Sequence, residues 1–342
     1  IIGESIYRIL KKKGYKTIGD VHLGDYGLQI GQVIYGAKKR NLKPNDITLK
    51  LLDEIYPEMS ALCKQDEETK KKCEKYRNML QDGDKECEEY FNVMYDISLK
   101  DIKRIYKYLD INFDYWYGEK DSAKYMNDVI KYFEDKNMIK KDNGALIIPI
   151  SEESDKKEMP PVLVQGSDGA FLYHTSDLAT IYQRMKDFDP NYILYVVDDR
   201  QRLHFEQIFR ACKKSGLSKD AILEHNYFGT INGPDGKPFK TRSGDILKLD
   251  DLIAMAREGF LAKKESNKDM KEEDIDKIVN AIIKFADLQN NREKNYIFDI
   301  NKFADVNGKT GPYILYTALR IRKIIESNEV TKKEVNLEIY NE

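Results

Sequence analysis

The sequence predicts an α/β fold: a parallel-sheet domain carrying a mostly helical insertion, with a helical segment toward the C-terminal end. Three observations predict it. Residues 171–210 (FLYHTSDLATIYQRMKDFDPNYILYVVDDRQRLHFEQIFR) alternate strand, helix, strand and helix, the order of a parallel sheet. Residues 191–197 (NYILYVV) are apolar enough for a buried strand and run directly into DDRQ; such sheets bind ligands beyond the carboxyl ends of their strands. Residues 24–31 (GDYGLQIG) set three glycines between an expected strand and an expected helix, which permits close backbone approach there.

Size and composition narrow the function. A length of 342 residues accommodates two or three domains. Charged residues make up 34% and hydrophobic ones 41%, the balance of a soluble protein. The net charge of −2 gives no global basic field that would argue for nucleic acid, although a local basic face remains compatible with it. Cys63, Cys73, Cys87 and Cys212 form no Cys-x-x-Cys pair, so reduced thiols are expected rather than a zinc site. No apolar run approaches the roughly 18–20 residues of a membrane span, and no signal peptide is visible. The chain opens at Ile1 already in a helical pattern, with neither Met nor an N-cap. It is therefore expected to be a piece of a longer protein.

The elements follow in order. In IIGESIYRILKKKGY, Ile2, Ile6, Ile9 and Leu10 share one face of a helix, which Gly14 ends. Residues 16–23 (KTIGDVHL) read as a short strand. The glycine loop then enters a helix through Val33, Ile34 and Ala37; the loop is either plain turn chemistry or an anion-holding helix start. Residues 47–108 are rich in Lys, Glu and Asp with apolar residues at helical spacing, which predicts two or three helices with solvated charged faces. Residues 111–122 (INFDYWYGEKDS) hold Trp116 and, after Gly118, Glu119. They are either an aromatic strand packing on the insertion or a loop offering a carboxylate to a cation. A helix is expected over 121–136 and strands near 145–150 and 161–165. Within residues 171–210, Tyr173, His174, Asp177, Asp198, Asp199, Gln201 and His204 concentrate polar groups at element ends. A strand is expected over 225–231. The loop NGPDGKPFKTRSGD follows, turn-rich and cationic through Lys237, Lys240 and Arg242. It suits a phosphate chain, or is a basic hairpin. Helices are expected over 250–262 and 272–289, and residues 307–325 are expected to begin as a loop and become a helix.

Several of these stretches together resemble the arginyl-tRNA synthetases, a family of class I aminoacyl-tRNA synthetases. They are HLGDYGLQIG, FDYWYGE, FLYHTSDLATIYQR, LYVVDDRQRLHFEQIF, FGTINGPDGKPFKTRSGD and residues 285–324, in the family's order and over nearly the whole chain. The resemblance implies a Rossmann-like catalytic domain that joins L-arginine to ATP, with Mg2+, and passes arginine to tRNA(Arg). It places Tyr173, Asp177, Glu119 and Gln201 at arginine. Two carboxylates suit a guanidinium, which presents five donors in a planar fork and so can be told from lysine by geometry. His22, Gly24, Gln29, His204, Phe228 and Gly229 fall on the ATP and adenylate side. Lys240 and Arg242 stand in a degenerate KMSKS loop as phosphate-facing cations, with Pro238 where the first lysine would be.

The resemblance also divides the chain. Residues 1–46 and 166–248 would be two parts of the catalytic domain and 47–165 an inserted connective module. Residues 249–300 would be a helical stem-contact region, and 301–342 the start of an anticodon-binding domain. The family's His-x-Gly-His signature does not occur in residues 1–342, so this piece is expected to be inactive or severely impaired in aminoacylation. The expected setting is a cytoplasmic monomer with no membrane association. The alternative reading is a non-catalytic RNA- or protein-binding paralogue.

Overall fold

The computed structural model describes residues 1–233, 235–237, 248–262 and 270–327 of the chain. The chain divides into two units, residues 2–228 and the chain from Gly229 onward.

In the first unit, α1 (Ile2–Lys12) closes on Lys11 and Lys12, and Gly14 then takes φ 87°. Residues 16–23 differ from the expected strand. They make only isolated parallel bridges, Asp20 to Tyr115 and Leu23 to Gly118. A side chain is the reason: the Asp114 carboxylate accepts the Gly19 N–H at 2.8 Å, where a ladder carbonyl would otherwise stand. The glycine loop then leads into α2 (Leu28–Lys39), whose N-cap is Gly27.

After a 3-10 turn at Pro44–Asp46 come α3 (Leu49–Gln65), α4 (Glu67–Gln81) and α5 (Lys85–Tyr108). Thr48, Asp66 and Asp84 cap them, each side chain accepting an N–H of the first turn. With α2 they enclose a core that includes Ile34, Ile55, Met59, Leu80 and Met94. All four cysteines are free and buried, with the Cys63 and Cys73 sulfurs 3.5 Å apart. The approach of α2 to α4 is close enough that a Cβ on Gly31 would lie 2.1 Å from the Cys73 carbonyl oxygen.

The aromatic stretch runs back along residues 19–23. Trp116 stands edge-on to Tyr106 at 5.0 Å, with the Lys103 ammonium 5.2 Å from its ring. The single helix expected over 121–136 forms as α6 (Glu119–Ala123) and α7 (Met126–Asp135). The break follows from tight local bonds: the Ser122 hydroxyl donates to the Glu119 carbonyl, and the Tyr125 N–H to the Ser122 carbonyl, both at 2.9 Å.

An antiparallel sheet follows in the order β1 (Lys140–Asp142), β2 (Ala145–Ile148), β3 (Val162–Gln165). The first strand had no sequence expectation, yet its turn is Asn143-Gly144 with φ 46° and 85°, the dipeptide that two-residue hairpins favour. Phe171 makes one antiparallel bridge to Gln165 rather than a strand. Then come α8 (Tyr173–Asp187), β4 (Tyr192–Tyr195), a 3-10 turn at Asp199–Gln201, α9 (Arg202–Ser215) and β5 (Ile222–His225). β4 and β5 pair in parallel, Tyr192 against Ile222 through Tyr195 against His225. Ile148, Val162, Leu178, Ile181 and Ile208 are fully buried together with Val129 and Phe133 of α7.

In the second unit, β6 (Ile231–Asn232) precedes α10 (Leu249–Ala262), α11 (Glu272–Leu288), β7 (Tyr296–Ile297), α12 (Ile300–Phe303) and α13 (Gly311–Ser327). β6 and β7 pair in parallel. The strand expected over 225–231 is thus the end of β5 and the start of β6. Lys240 and Arg242 lie outside the described residues.

Gly31 offers a test of the α2–α4 approach. Gly31→Ala must move backbone and should cost about 1–3 kcal/mol. Gly24→Ala, where a Cβ meets nothing within 4 Å, should stay within about 0.5 kcal/mol. Urea unfolding of both variants checks the pair; equal midpoints would contradict the packing described.

Candidate active site

α8 opens without a side-chain cap; the Thr175 N–H reaches the Leu172 carbonyl at 2.9 Å. From His174 to Ile181 every residue is buried, so polar members of its first turns need partners inside the protein. Ser176 and Asp177 find them in different directions.

The Asp177 side chain is 12% exposed. Its Oδ2 lies 2.5 Å from Nε2 of His204 on α9, and its Oδ1 lies 3.7 Å from Nε2 of His22. Nδ1 of His204 is buried with no hydrogen-bond partner among the described residues. This assigns the imidazole proton to Nε2, which donates to Asp177. The Tyr173 ring stacks near His174 and His204, at 4.2 and 4.5 Å between centroids, yet stays 54% exposed. It is the solvent-facing wall of the cluster. Loss of hydration lowers the His22 pKa, opposed by Asp177.

Glu119 approaches the same helix from α6. Its Oε2 accepts the Tyr26 N–H at 2.9 Å and its Oε1 the Ser176 hydroxyl at 3.2 Å. That hydroxyl also lies 2.7 Å from the Tyr173 carbonyl. Burial, with the negative charges of Asp177 and Asp25 nearby, pushes the Glu119 carboxyl up to about 7. Farther along α8, Arg184 forms an ion pair with Asp20, with side chains 9% and 18% exposed. The Tyr117 ring lies 5.0 Å from that guanidinium. The pair ties the segment bearing His22, and the stretch ending at Glu119, to α8.

Six of the residues singled out from sequence therefore meet: Tyr173, His174, Asp177, His204, His22 and Glu119. Gln201 does not join them; it is exposed on the turn before α9, its N–H bonded to the Asp198 carbonyl at 3.1 Å. Gly24 is exposed, and its carbonyl accepts from Gln29 Nε2 at 3.1 Å, which turns Gln29 back on its own loop. Phe228 bridges to Asp198 in the first unit, its carbonyl taking the Asp199 N–H at 3.0 Å. Gly229 belongs to the second unit, where its N–H donates to the Arg292 carbonyl at 2.8 Å. Asp198 and Asp199 are held locally by Arg200 and Arg202.

Sequence reasoning missed Ser176, Asp25 and the Asp20–Arg184 pair. Ser176 could have been found, since it lies one helical turn from Tyr173. The others meet across long stretches of chain and leave no local signal.

The chemistry on offer is two carboxylates beside the head of α8, Asp177 held by His204 and Glu119 by the Ser176 hydroxyl, next to an aromatic wall. That set suits a cation with several N–H donors. Among the described residues, no group of three or more His, Cys, Asp or Glu side chains is placed to hold a metal ion. No described helix is long and apolar enough to cross a membrane.

Residues 1–300 match the family described as tRNA synthetases class I (R), catalytic domain. The chain is 40% identical over 344 residues to the arginine–tRNA ligase of Alkaliphilus oremlandii (strain OhILAs), covering 95% of this chain and 59% of that protein. It is 37% identical over 361 residues to the arginine–tRNA ligase of Agathobacter rectalis, covering 98% and 60%. The crystal structure of arginyl-tRNA synthetase from Plasmodium falciparum superposes with a TM-score of 0.76 at 27% identity, covering 98% of this chain and 55% of that one. The chain thus spans about 60% of the length of these curated relatives.

His174 makes the cluster acid-sensitive. Burial, with His204 beside it, holds its imidazole down at about 4, below the ordinary 6.5. The unfolded chain takes up that proton first, so stability present above pH 6.5 is lost as pH falls toward 4, by up to about 1.4 kcal/mol per pH unit. His174→Gln should flatten this part of the pH dependence of urea unfolding; an unchanged slope would sink the assignment.

Proposed function

The chain belongs to the class I tRNA synthetases for arginine, and from that membership we propose that it carries the arginine-activating site of an arginine–tRNA ligase. The observation that supports this reading best is the pair of carboxylates on α8 and against it, Asp177 held by His204 and Glu119 held by the Ser176 hydroxyl. Arginine brings a guanidinium and an α-ammonium, and both need anions in a largely dry site. Asp177, steadied by His204, and Glu119 are the acceptors. Tyr173 is the wall against which the substrate's aliphatic stem lies. Gln201 is a further arginine contact, supported by the family resemblance of its stretch.

The activation step is an attack by the α-carboxylate oxygen of arginine on the α-phosphorus of ATP. The bond to the β-phosphate breaks and pyrophosphate leaves. A ribose hydroxyl at the tRNA(Arg) terminus then attacks the arginyl carbonyl, and AMP leaves. Neither step needs a covalent enzyme nucleophile, so the contribution is positioning and charge stabilisation. His22, Gly24, Gln29, His204, Phe228 and Gly229 are assigned to ATP and the adenylate, and Lys240 and Arg242 to charge on the leaving pyrophosphate. Magnesium arrives with ATP, held chiefly by phosphate oxygens and water.

Calorimetry with arginine tests the pocket. Removing a buried charged partner costs about 2–5 kcal/mol, so Asp177→Ala should weaken arginine at least about thirty-fold. Unaffected tight binding would refute the assignment. If the intact chain binds no arginine at all, the reading as a non-catalytic RNA- or protein-binding relative gains ground.

Glu119 sets a pH signature. A bound cation favours its ionised form, so arginine releases a proton and affinity should rise as pH climbs through about 7. Glu119→Gln should remove that rise.

Residues 1–342 contain no His-x-Gly-His. We therefore expect this chain alone to form arginyl-tRNA at least about a hundred-fold more slowly than a ligase that has the signature. A rate like that of an intact ligase would contradict this.

A further inference from the structure

Glu119 is held by a reciprocal clasp between two segments nearly a hundred residues apart in sequence. On one side, the Leu23 N–H donates to the Tyr117 carbonyl at 3.0 Å and the Glu119 N–H to the Leu23 carbonyl at 2.9 Å. The Tyr26 N–H then donates to Glu119 Oε2. On the other side, Asp25 Oδ1 accepts the Lys120 N–H at 3.1 Å. Each segment thus offers one carboxylate to a backbone N–H of the other. Asp25 Oδ2 is buried with no hydrogen-bond partner among the described residues. The carboxylate is pressed against Gly118, where an added Cβ would lie 2.3 Å from Oδ2 and 2.8 Å from Oδ1. Only glycine leaves room for it.

We propose that Asp25 is a positioning residue for Glu119: by holding the Lys120 N–H and packing on Gly118 it fixes where that carboxylate points, and it adds a buried like charge beside it. The proposal rests on the arginine-site reading above for its consequence, although not for its geometry. The sign follows from what surrounds the two groups. Glu119 faces Asp177 and Ser176 of α8 and Tyr26 and Asp25 of the glycine loop, with His22 beyond Asp177. Asp25 faces Asp121 and Lys120 of α6. The Lys120 ammonium is drawn away over the Phe91 and Tyr95 rings, at 5.0 and 4.8 Å. Burial pushes the Asp25 carboxyl up to about 6, and Glu119 stands at about 7. The two carboxyls therefore ionise in the same pH range and oppose each other there.

An uncharged group of the same shape at position 25 separates charge from structure. Asp25→Asn keeps an oxygen for the Lys120 N–H and removes the negative charge. The ionisation midpoint of Glu119, read by NMR of its side-chain carboxyl carbon in the free chain, should then fall below its parent position of about 7. Relative to the parent, arginine affinity should be about two-fold better at pH 6 than at pH 8.5. Asp25→Ala removes the same charge and the acceptor as well, and should weaken arginine about ten-fold at pH 8.5 and about five-fold at pH 6. A Glu119 midpoint that does not move in Asp25→Asn overturns the proposal, whether or not arginine binds. A loss of affinity that is the same at every pH in both variants overturns it too, since that is what a merely structural role would give. If the parent binds no arginine but the midpoint moves as stated, the positioning role stands and the functional reading fails.

Discussion

A carboxylate buried at the head of a helix has to be matched by groups from elsewhere in the chain, and Asp177 imposes that requirement here. Its partners come from two directions, His204 from α9 and His22 from the segment after α1. For both to arrive, α9 must cross α8 at the right height, and the parallel pairing of β4 with β5 on either side of α9 helps hold it there. The loop segment is brought in by the Asp20–Arg184 ion pair. Chemistry and architecture thus rest on one contact, and a buried charge left without its partner would cost more than the surface pairs elsewhere in the chain contribute.

Around that contact the protein gathers negative charge rather than dispersing it. Glu119 approaches from α6 and Asp25 from the glycine loop, and burial keeps both from ionising as readily as they would in water. Such crowding works against the fold. It is tolerated because backbone N–H groups of Tyr26 and Lys120 meet the oxygens. A site arranged this way is poised to accept positive charge.

Much of this was legible in the sequence, and the reasons differ by element. α3, α4 and α5 were readable from apolar spacing together with local caps at Thr48, Asp66 and Asp84. β4 was readable as a strand because NYILYVV is a short apolar run between turns, but the burial expected of it is only partial, Tyr192 being exposed and residues 193–195 half-buried. Tyr173 and Asp177 were readable as one face of a helix start. Residues 16–23 were not, because their partner lies far away in residues 115–118 and Asp114 takes the place of a strand acceptor. The break between α6 and α7 depends on one serine hydroxyl turned to its own backbone.

Trp116 is the chain's one indole. It stands edge-on to Tyr106 beneath the Lys103 ammonium, three residues before Glu119. Any shift of the stretch ending in Glu119 relative to α5 would change the polarity around a single fluorophore. The intrinsic emission of the unlabelled chain therefore reports on one chosen segment rather than on the average of many, and that segment is the one that delivers a carboxylate to the site.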